Sequence, residues 1–276
     1  MLSGTTLITG TSGFIGKRFK QALVDAAYSN IITLNEDDVF KSNNWHVNLQ
    51  SFLNVHKPSE IFHFGASSDT LKNDVQFMME RNFETTSIIA SWCKNNNAKL
   101  IYSSSAACYG IDDMVPSNLY GWSKYCAERV VSALGGISLR YFNVYGPGEE
   151  HKGRMASVFY QAYLQNLDGH IFNLFPGFPK RDFIFVDDVI TANLIAIRSF
   201  ASCSGLVFDV GTATPRTFED GLKIMQISYK YLPAELIPDG YQIYTAASKS
   251  RWVPGWQPAH NLESGLSAYM NYLGVA

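Results

Sequence analysis

Cysteine, charge and long apolar runs are all scarce in this 276-residue chain. Its four cysteines lie far apart, without a C-x-x-C pair or the Cys/His spacing of a metal site, which excludes a disulfide framework and predicts that no metal is bound. The 22 basic and 24 acidic residues give a formal net charge of -2, so the chain lacks the concentrated basic surface of a nucleic-acid-binding protein. No run approaches the roughly 20 apolar residues of a membrane span, and we expect no membrane partner.

The first residues, MLSGTTLITG, also lack the basic start and the long apolar segment of a secretory signal. Free thiols and the absent signal together predict a cytoplasmic protein. The length fits one large domain or two modest ones. Because no repeat or low-complexity linker divides the chain, the segments of a second lobe would have to alternate along the sequence with those of the first.

Short apolar runs alternate with segments of helical period. Runs that are apolar at consecutive positions predict parallel strands buried on both faces, and right-handed crossovers then predict a Rossmann-type doubly wound α/β sheet. The predicted strands are Thr5–Thr9, Ile31–Leu34, Glu60–Gly65, Leu100–Ser103, Ile137–Phe142, Phe183–Val186 and Leu206–Val210. The predicted helices are Phe14–Ala27, one between Val75 and Lys94, one from about Tyr120 to Leu134, one that starts near Asp187, and one near Leu262–Leu273.

After Tyr145 the chain becomes rich in glycine, proline and aromatic residues, which predicts a smaller C-terminal substrate-binding lobe with ligand bound between the two parts. The dinucleotide-binding domain is expected over 1–145 and about 182–211, and the lobe over about 146–181 and 212–276. We expect Asp187 and Asp188 to cap the helix that follows them. The aromatic residues expected to fill the core of the lobe are Phe172, Phe175 and Phe178.

A glycine-rich loop joins the first predicted strand to the first predicted helix. Backbone must turn tightly there and let a pyrophosphate approach, which a Cβ would obstruct. The helix N-terminus then offers unpaired N–H groups and a positive dipole end to the phosphates. The pattern therefore predicts a dinucleotide site. Its residues are Gly10, Thr11, Ser12, Gly13, Phe14, Ile15 and Gly16.

The end of the second strand bears on which dinucleotide binds. A carboxylate there would accept the 2′-hydroxyl of NAD, but Asn35 follows the strand and the first carboxylate, Glu36, comes one position later. Asn35 does not repel a 2′-phosphate, and Lys17, Arg18 or Lys41 could neutralise one. We therefore expect NADP in preference to NAD, while the alternative of Glu36 binding the ribose of NAD stays open.

Ser105 ends the fourth strand region, and Tyr120 and Lys124 share one face of the next helix. A free phenol has a pKa near 10, too high for a base at neutral pH. A neighbouring ammonium and the cationic nicotinamide of a cofactor would both favour the phenolate. Ser105 could hydrogen-bond a substrate oxygen as the charge on that oxygen changes.

The three glycines with Ser105, Tyr120 and Lys124 resemble the extended short-chain dehydrogenase/reductase family of nucleotide-sugar epimerases and dehydratases, through essentially the whole chain. The resemblance implies the fold, a nicotinamide cofactor, a nucleotide-diphosphate sugar as substrate, and a homo-oligomer. RYFNVYGP at Arg140–Pro147, followed by HKG and MASV within His151–Val158, resembles the branch that inverts C6 of a nucleotide-linked heptose.

This narrower resemblance implies two acid/base residues, Tyr120 and Lys152, on opposite sides of the sugar carbon. In this reaction the sugar carbon gives up a hydride and becomes a transient ketone. If the ketone turns its other face before the hydride returns, the proton of its oxygen is removed at one position and given back at another. The residues that the resemblance places at the cofactor are Phe64, Gly65, Ala66, Ser67, Asn82 and Val144. Those that it places at the substrate are Ser67, Ser105, Asn143, Arg154, Gln161, Phe175, Arg181 and Tyr241. Arg154 and Gln161 stand where the heptose pattern has a serine and a histidine. These two differences leave the identity of the sugar open.

Three other functions are weighed against epimerisation. A 4,6-dehydratase would place an acidic pair after the strand, where this chain has Ala106 and Ala107. A reductase or epimerase–reductase acting on another nucleotide sugar would use the same serine, tyrosine and lysine, with His151 as a second acid, and it is the main alternative. A non-catalytic scaffold predicts loss of Tyr120 or Lys124, and both are present.

Overall fold

The computed structural model describes residues 4–111, 115–238 and 241–275. Its strands are β1 (Thr6–Thr9), β2 (Ile31–Leu34), β3 (Glu60–His63), β4 (Lys99–Ser105), β5 (Ile137–Tyr141), β6 (Asn143–Tyr145), β7 (Phe172–Leu174), β8 (Lys180–Arg181), β9 (Phe183–Phe185), β10 (Val207–Val210), β11 (Arg216–Thr217) and β12 (Tyr229–Tyr231). Its helices are α1 (Phe14–Asp25), α2 (Glu36–Val39), α3 (Trp45–His56), α4 (Val75–Met78), α5 (Thr85–Asn96), α6 (Leu119–Ala133), α7 (Val158–Leu167), α8 (Val186–Arg198), α9 (Phe200–Cys203), α10 (Phe218–Ile224) and α11 (Leu262–Leu273). A π-helix (Met79–Glu84) joins α4 to α5, and 3-10 turns include Ala106–Tyr109 and Glu150–Met155.

Six parallel strands form the central sheet, in the order β10-β5-β4-β3-β1-β2. Successive residues of β1 point to opposite faces, so Ile8 packs beneath α1 and α8 while Leu7 packs beneath α3, α5 and α6. Both faces are therefore covered by helices, and the predicted doubly wound α/β fold is confirmed. Among the described residues, no helix has both the length and the apolar character required to cross a membrane.

The strand order reverses at β1, because β2 lies on one side of it and β3 on the other. A ligand cleft forms at such a reversal, outside the carboxyl ends of the strands. Gly10 follows β1 with a φ of +71°, and a Cβ on it would lie 2.6 Å from the backbone nitrogen of Gly65, which follows β3. Only glycine at position 10 lets these two loops meet.

The predicted sheet strand Phe183–Val186 does not join the central sheet. Residues Phe183–Phe185 instead pair in parallel with β6 in a separate two-stranded ladder. Phe183 and Phe185 pack with Tyr145 and Phe159 in the aromatic core of the smaller lobe, which explains why an apolar run formed a strand elsewhere. The division of the chain into two units stays a prediction.

The aromatic residues expected in the core of the lobe behave differently from one another. Phe172 is buried there, as predicted, and Phe175 is partly buried with its ring centre 5.2 Å from that of Tyr241. For Phe178 the prediction was wrong, because its side chain is 61% exposed. This residue has a φ of +51° between Gly177 and a proline, and its ring meets only the edge of Tyr231.

Asp187 and Asp188 lie in the first turn of α8 but do not cap it, so this expectation was also wrong. The Asp187 carboxylate accepts two hydrogen bonds from the Arg18 guanidinium, at 2.8 and 3.0 Å, and ties α8 to α1. The Asp188 carboxylate accepts the backbone N–H groups of Ala259 and His260. Both carboxylates thus accept hydrogen bonds from donors elsewhere in the fold, and not from the first-turn N–H groups of α8.

A buried ion pair fastens α6 to the sheet. Glu128 of α6 accepts hydrogen bonds from the Arg140 guanidinium of β5, at 2.8 and 2.6 Å, and a third from the Ser104 hydroxyl of β4, at 2.7 Å. Glu128 is 1% exposed and Arg140 8% exposed. In such a site, each charge depends on its partner because water does not replace it.

Glu128→Gln should therefore destabilise the protein by about 3–5 kcal/mol, since it leaves the buried Arg140 guanidinium without a counter-charge. Chemical denaturation at neutral pH measures the change. Glu263→Gln is the matched control, because Glu263 is half-exposed and pairs at 2.7 Å with a partly exposed Arg216. Its loss should stay below about 1 kcal/mol. Equal losses in the two variants would contradict this assignment.

Candidate active site

Two cavities meet where the loops after β1 and β3 approach each other. One, of about 250 Å³, extends to Leu34 and Asn35 at the end of β2, and we call it the β2 cavity. The other, of about 240 Å³, extends to Ser103–Ser105 at the end of β4, and we call it the β4 cavity. Both are lined by Gly10, Gly13, Phe64 and Ala66, so they are two parts of one cleft.

The glycine loop fits a diphosphate. Helix α1 begins after Gly13, which supplies no side-chain cap, and no acidic residue lies in the described first turn of this helix. Its first N–H groups and its positive dipole end are therefore available to an anion. A Cβ on Gly16 would collide with the carbonyl oxygen of Gly10, so glycine is required where the helix meets the loop. Phe14 and Ile15 line the β4 cavity, and Ser12 the β2 cavity.

Asn35 holds the glycine loop in place. Its side-chain oxygen accepts the Ser12 N–H and the Thr11 hydroxyl, both at 3.0 Å. The residue that follows β2 therefore supports the loop with an uncharged amide, where a carboxylate would read the ribose of NAD.

The cation at the rim of the β2 cavity is Arg81, which sequence reasoning missed. Its guanidinium forms an ion pair with Glu36 at 2.7 Å and lies 3.2 Å from the centre of the Phe40 ring, and all three residues line this cavity. Arg81 lies in the π-helix, and no local spacing rule links it to Glu36; only the tertiary fold does. The predicted Lys41 is exposed, pairs with Asp38 and does not line the cavity.

Arg18 is likewise held by Asp187 on α8. It therefore does not supply the phosphate-binding cation that the sequence suggested. Lys17 is an exposed residue of α1 and lines neither part of the cleft.

The β4 cavity brings Ser105, Tyr120, Lys124 and Lys152 together in its wall, with Val144 beside them. Helix α6 starts just before Tyr120 because the Asn118 side chain caps it by accepting the Gly121 N–H at 2.8 Å. One turn of this helix then places Tyr120 and Lys124 on the same face.

Burial dominates the ionisation of these groups. It raises the pKa of Tyr120 to about 12, although a hydrogen bond from the Ser105 hydroxyl opposes the rise. It lowers the pKa of Lys124 to about 8, and it lowers the pKa of Lys152 as well. We expected the ammonium of Lys124 to lower the pKa of Tyr120; among the protein's own groups, desolvation of the phenolate is the larger effect.

Lys152 reaches the cavity from the turn Glu150–Met155. Glu149, fully buried before this turn, accepts the Gly146 and Ser157 N–H groups and the Ser157 hydroxyl. The amine of Lys152 then lies 5.6 Å from the centre of the Phe14 ring. The anchored turn thus places the partly buried Lys152 side chain in the wall of the β4 cavity.

Arg154 and Gln161 are not in the cleft. The Arg154 guanidinium forms an ion pair with Asp69 at 2.9 Å, and the Gln161 amide donates to the carbonyl oxygens of Ala156 and Arg154. Each thus has a protein partner in this structure, and their contact with the substrate stays a prediction.

Arg181 and Asn143 also lie outside the β4 cavity. The buried Arg181 guanidinium donates to the backbone carbonyl oxygens of Lys180 and Gln242, and its centre lies 5.3 Å from that of the Tyr241 ring. Burial lowers its pKa. Asn143 is exposed, and its N–H donates to the carbonyl of Asp182. Arg181 thus makes contacts within the lobe, and its contact with a diphosphate stays a prediction.

A third cavity, of about 390 Å³, which we call the lobe cavity, adjoins the β4 cavity at Phe142. Tyr241 and Thr245 line it, and the hydroxyl of Thr245 is buried without a hydrogen-bond partner among the described residues. The ring of Phe175 packs edge-on against the ring of Tyr241. An orphaned hydroxyl in an aromatic cavity fits a polar ligand.

A chain of buried hydrogen bonds runs behind the cleft. The Gly65 N–H donates to the Thr9 hydroxyl, which pairs with Nδ1 of His63 at 2.7 Å; Nε2 of His63 pairs with the Thr86 hydroxyl at 2.9 Å. Since the Thr86 hydroxyl donates to the carbonyl of Asn82, His63 must donate from Nε2 and accept at Nδ1. Burial lowers the pKa of His63 to about 3, so the ring is neutral.

Asn82 continues this chain instead of lining the cleft. It is fully buried, its amide accepts the Ser67 N–H and donates to the Ser67 carbonyl, and it also donates to the Ser123 hydroxyl. Asn82 does not line either part of the cleft, and its contact with a cofactor stays a prediction. It positions Ser67, which with Gly65 lines the β2 cavity.

Comparisons with known proteins agree with this geometry. The chain is 33% identical to an ADP-L-glycero-D-manno-heptose-6-epimerase of Brachyspira hyodysenteriae, over 97% of each chain. It is 33% identical to the enzyme of the same name from Thiobacillus denitrificans, over 79% of this chain and 76% of the relative. The crystal structure of Helicobacter pylori ADP-L-glycero-D-manno-heptose-6-epimerase matches with a TM-score of 0.84 and 26% identity, over 99% of this chain and 97% of that one.

The family model described as "NAD dependent epimerase/dehydratase family" matches residues 6–211. This span contains β1 through β10, the glycine loop, and Ser105, Tyr120, Lys124 and Lys152 of the β4 cavity. The chain therefore belongs to the NAD-dependent epimerase/dehydratase family.

Proposed function

We propose that this protein inverts one carbon of a nucleotide-diphosphate sugar by transient hydride transfer, and that the sugar is an ADP-linked heptose inverted at C6. The observation that carries the proposal is that Tyr120 and Lys152, two groups able to move a proton, line one cavity next to the glycine loop. The names of the relatives at 33% identity support the choice of sugar.

A bound nicotinamide cofactor would supply the hydride acceptor and donor that inversion of the sugar carbon requires. The N–H groups at the start of α1 hold the diphosphate of the cofactor. Ser105 donates a hydrogen bond to the sugar oxygen, and the phenolate of Tyr120 accepts the proton of the hydroxyl group. Lys124 favours this phenolate electrostatically, as does a cationic ring beside it.

Inversion requires a second proton-handling group. Once the ketone has turned its other face, its oxygen no longer lies beside Tyr120, and Lys152 gives the proton from the other wall. Burial lowers the pKa of Lys152 and so eases this transfer. In a reductase, His151 would be the second acid. His151 lines the β2 cavity, away from Tyr120, and so does not have this role.

We propose that the nucleotide and the distal part of the sugar lie in the lobe cavity. Tyr241 closes it, Phe175 supports that ring, and the unpartnered hydroxyl of Thr245 offers a hydrogen bond. Phe142 lies between this cavity and Ser105, so one ligand can extend through both.

For the cofactor, we propose NADP in preference to NAD. Asn35 places no charge at the end of β2, and Arg81 stands at the rim with its charge balanced by Glu36. A 2′-phosphate can compete with Glu36 for this guanidinium, which is suited to bind it in a fork.

Tyr120→Phe and Lys152→Met should each cut turnover of ADP-heptose by about 10²–10⁴, the usual effect of losing a general acid or base. Cofactor affinity should change little in either variant. NMR of the sugar product follows inversion at C6, and nicotinamide fluorescence follows cofactor binding.

The control for the second variant is Lys20→Met, which removes an exposed amine from α1. Near-normal turnover by Lys152→Met would exclude the role of Lys152. Turnover without inversion, with net reduction of the sugar, would replace the epimerase with the reductase.

Arg81→Met should weaken NADP binding about tenfold or more while changing the affinity for NAD less than threefold, because only the 2′-phosphate needs this charge. Fluorescence titration with both cofactors gives the two dissociation constants. Lys41→Met, which removes a cation outside the β2 cavity, should change neither. A preference for NAD in the unmodified protein would instead favour Glu36 as a ribose ligand.

A further inference from the structure

We propose that Tyr102 is a positioning residue: its ring face holds the ammonium of Lys124 and keeps it charged at the β4 cavity. Tyr102 lies on β4 and does not line the cleft, so it acts through Lys124 and not on a ligand. The proposal deepens the proposed function, on which it rests for the role of Lys124.

Lys124 is a buried amine that needs such a partner. It is 2% exposed, and among the described residues it has neither an ion pair within 4.0 Å nor a side-chain hydrogen bond. Its nitrogen lies 4.6 Å from the centre of the Tyr102 ring, within the range of a cation–π interaction. The ring is fully buried, where this attraction is strongest because water does not compete.

The Tyr102 ring is itself fixed. His63 stacks against it, with ring centres 5.8 Å apart and an angle of 30° between the planes. Hydrogen bonds at both of its nitrogens hold His63, from Thr9 beside the glycine loop and to Thr86 on α5. The loop that receives the cofactor is thus connected through two stacked rings to the amine on α6.

Other charged or titratable groups face Lys124 from every neighbouring element. Cys108 from the 3-10 turn and Glu128 from α6 raise its pKa, and Glu128 is already neutralised by Arg140 on β5. His63 on β3 is neutral and adds no charge. Tyr120 shares the helical face. The Tyr102 ring is therefore the contact that most directly offsets the cost of removing water from the Lys124 ammonium.

The test is a titration of Lys124 by NMR, with 13C-labelled lysine in the full-length protein and no substrate. The signal of Lys124 is the one missing from Lys124→Met. It should titrate with a pKa of about 8 in the unmodified protein. Tyr102→Phe keeps the ring face and should keep this value, because the ring face, and not the hydroxyl, lies beside the ammonium. Tyr102→Leu should lower the pKa by about one unit, the expected loss of a desolvated cation–π contact.

An unchanged pKa in Tyr102→Leu, or an equal fall in Tyr102→Phe, would overturn the proposal. A second measurement needs no variant at Tyr102: ring-current shielding should move the Lys124 Cε protons upfield of those of exposed lysines, and the absence of this shift would overturn the proposal too. Because neither measurement uses substrate, failure of the epimerase assay leaves both results interpretable.

Discussion

The approach of Gly10 to Gly65, at the point where the strand order reverses, is the constraint on which the site depends. A side chain at position 10 would separate the two loops, and the cleft that both cavities share would lose its common wall. From the same contact, hydrogen bonds run through Thr9 and His63 to Thr86. One tight backbone contact thus joins the glycine loop to a chain of hydrogen bonds that reaches α5.

The chemistry depends on keeping water away from groups that must carry charge. Burial lowers the pKa of Lys124 and Lys152 and raises that of Tyr120, so all three are pushed towards their neutral forms. The Tyr102 ring and the hydrogen bond from Ser105 oppose this effect. Because burial and these two contacts act in opposite directions, the protons of Tyr120, Lys124 and Lys152 transfer readily when the surroundings of the site change.

The sequence predicted the regular elements well, because their periodicity reports burial directly. The bounds of β2 and α11 agree with the prediction at both ends. The glycine loop follows from a motif at the β1–α1 junction, and Ser105, Tyr120 and Lys124 follow from one at the β4–α6 junction. The segment Trp45–His56 was not predicted as a helix. Partners set by tertiary structure were also missed: Arg81 reaches the β2 cavity from a π-helix, and Arg154 is held by Asp69. No spacing in the chain encodes those contacts.

In the proposed mechanism, the hydrogen on the inverted carbon leaves as hydride and returns as the same atom. Incubating the enzyme with ADP-heptose in D2O and examining the product by NMR tests this directly. We predict inversion at C6 with no solvent deuterium on that carbon, because the hydride stays within the closed cleft. Incorporation of one deuterium per turnover would show removal and return of a proton instead, and would contradict the mechanism.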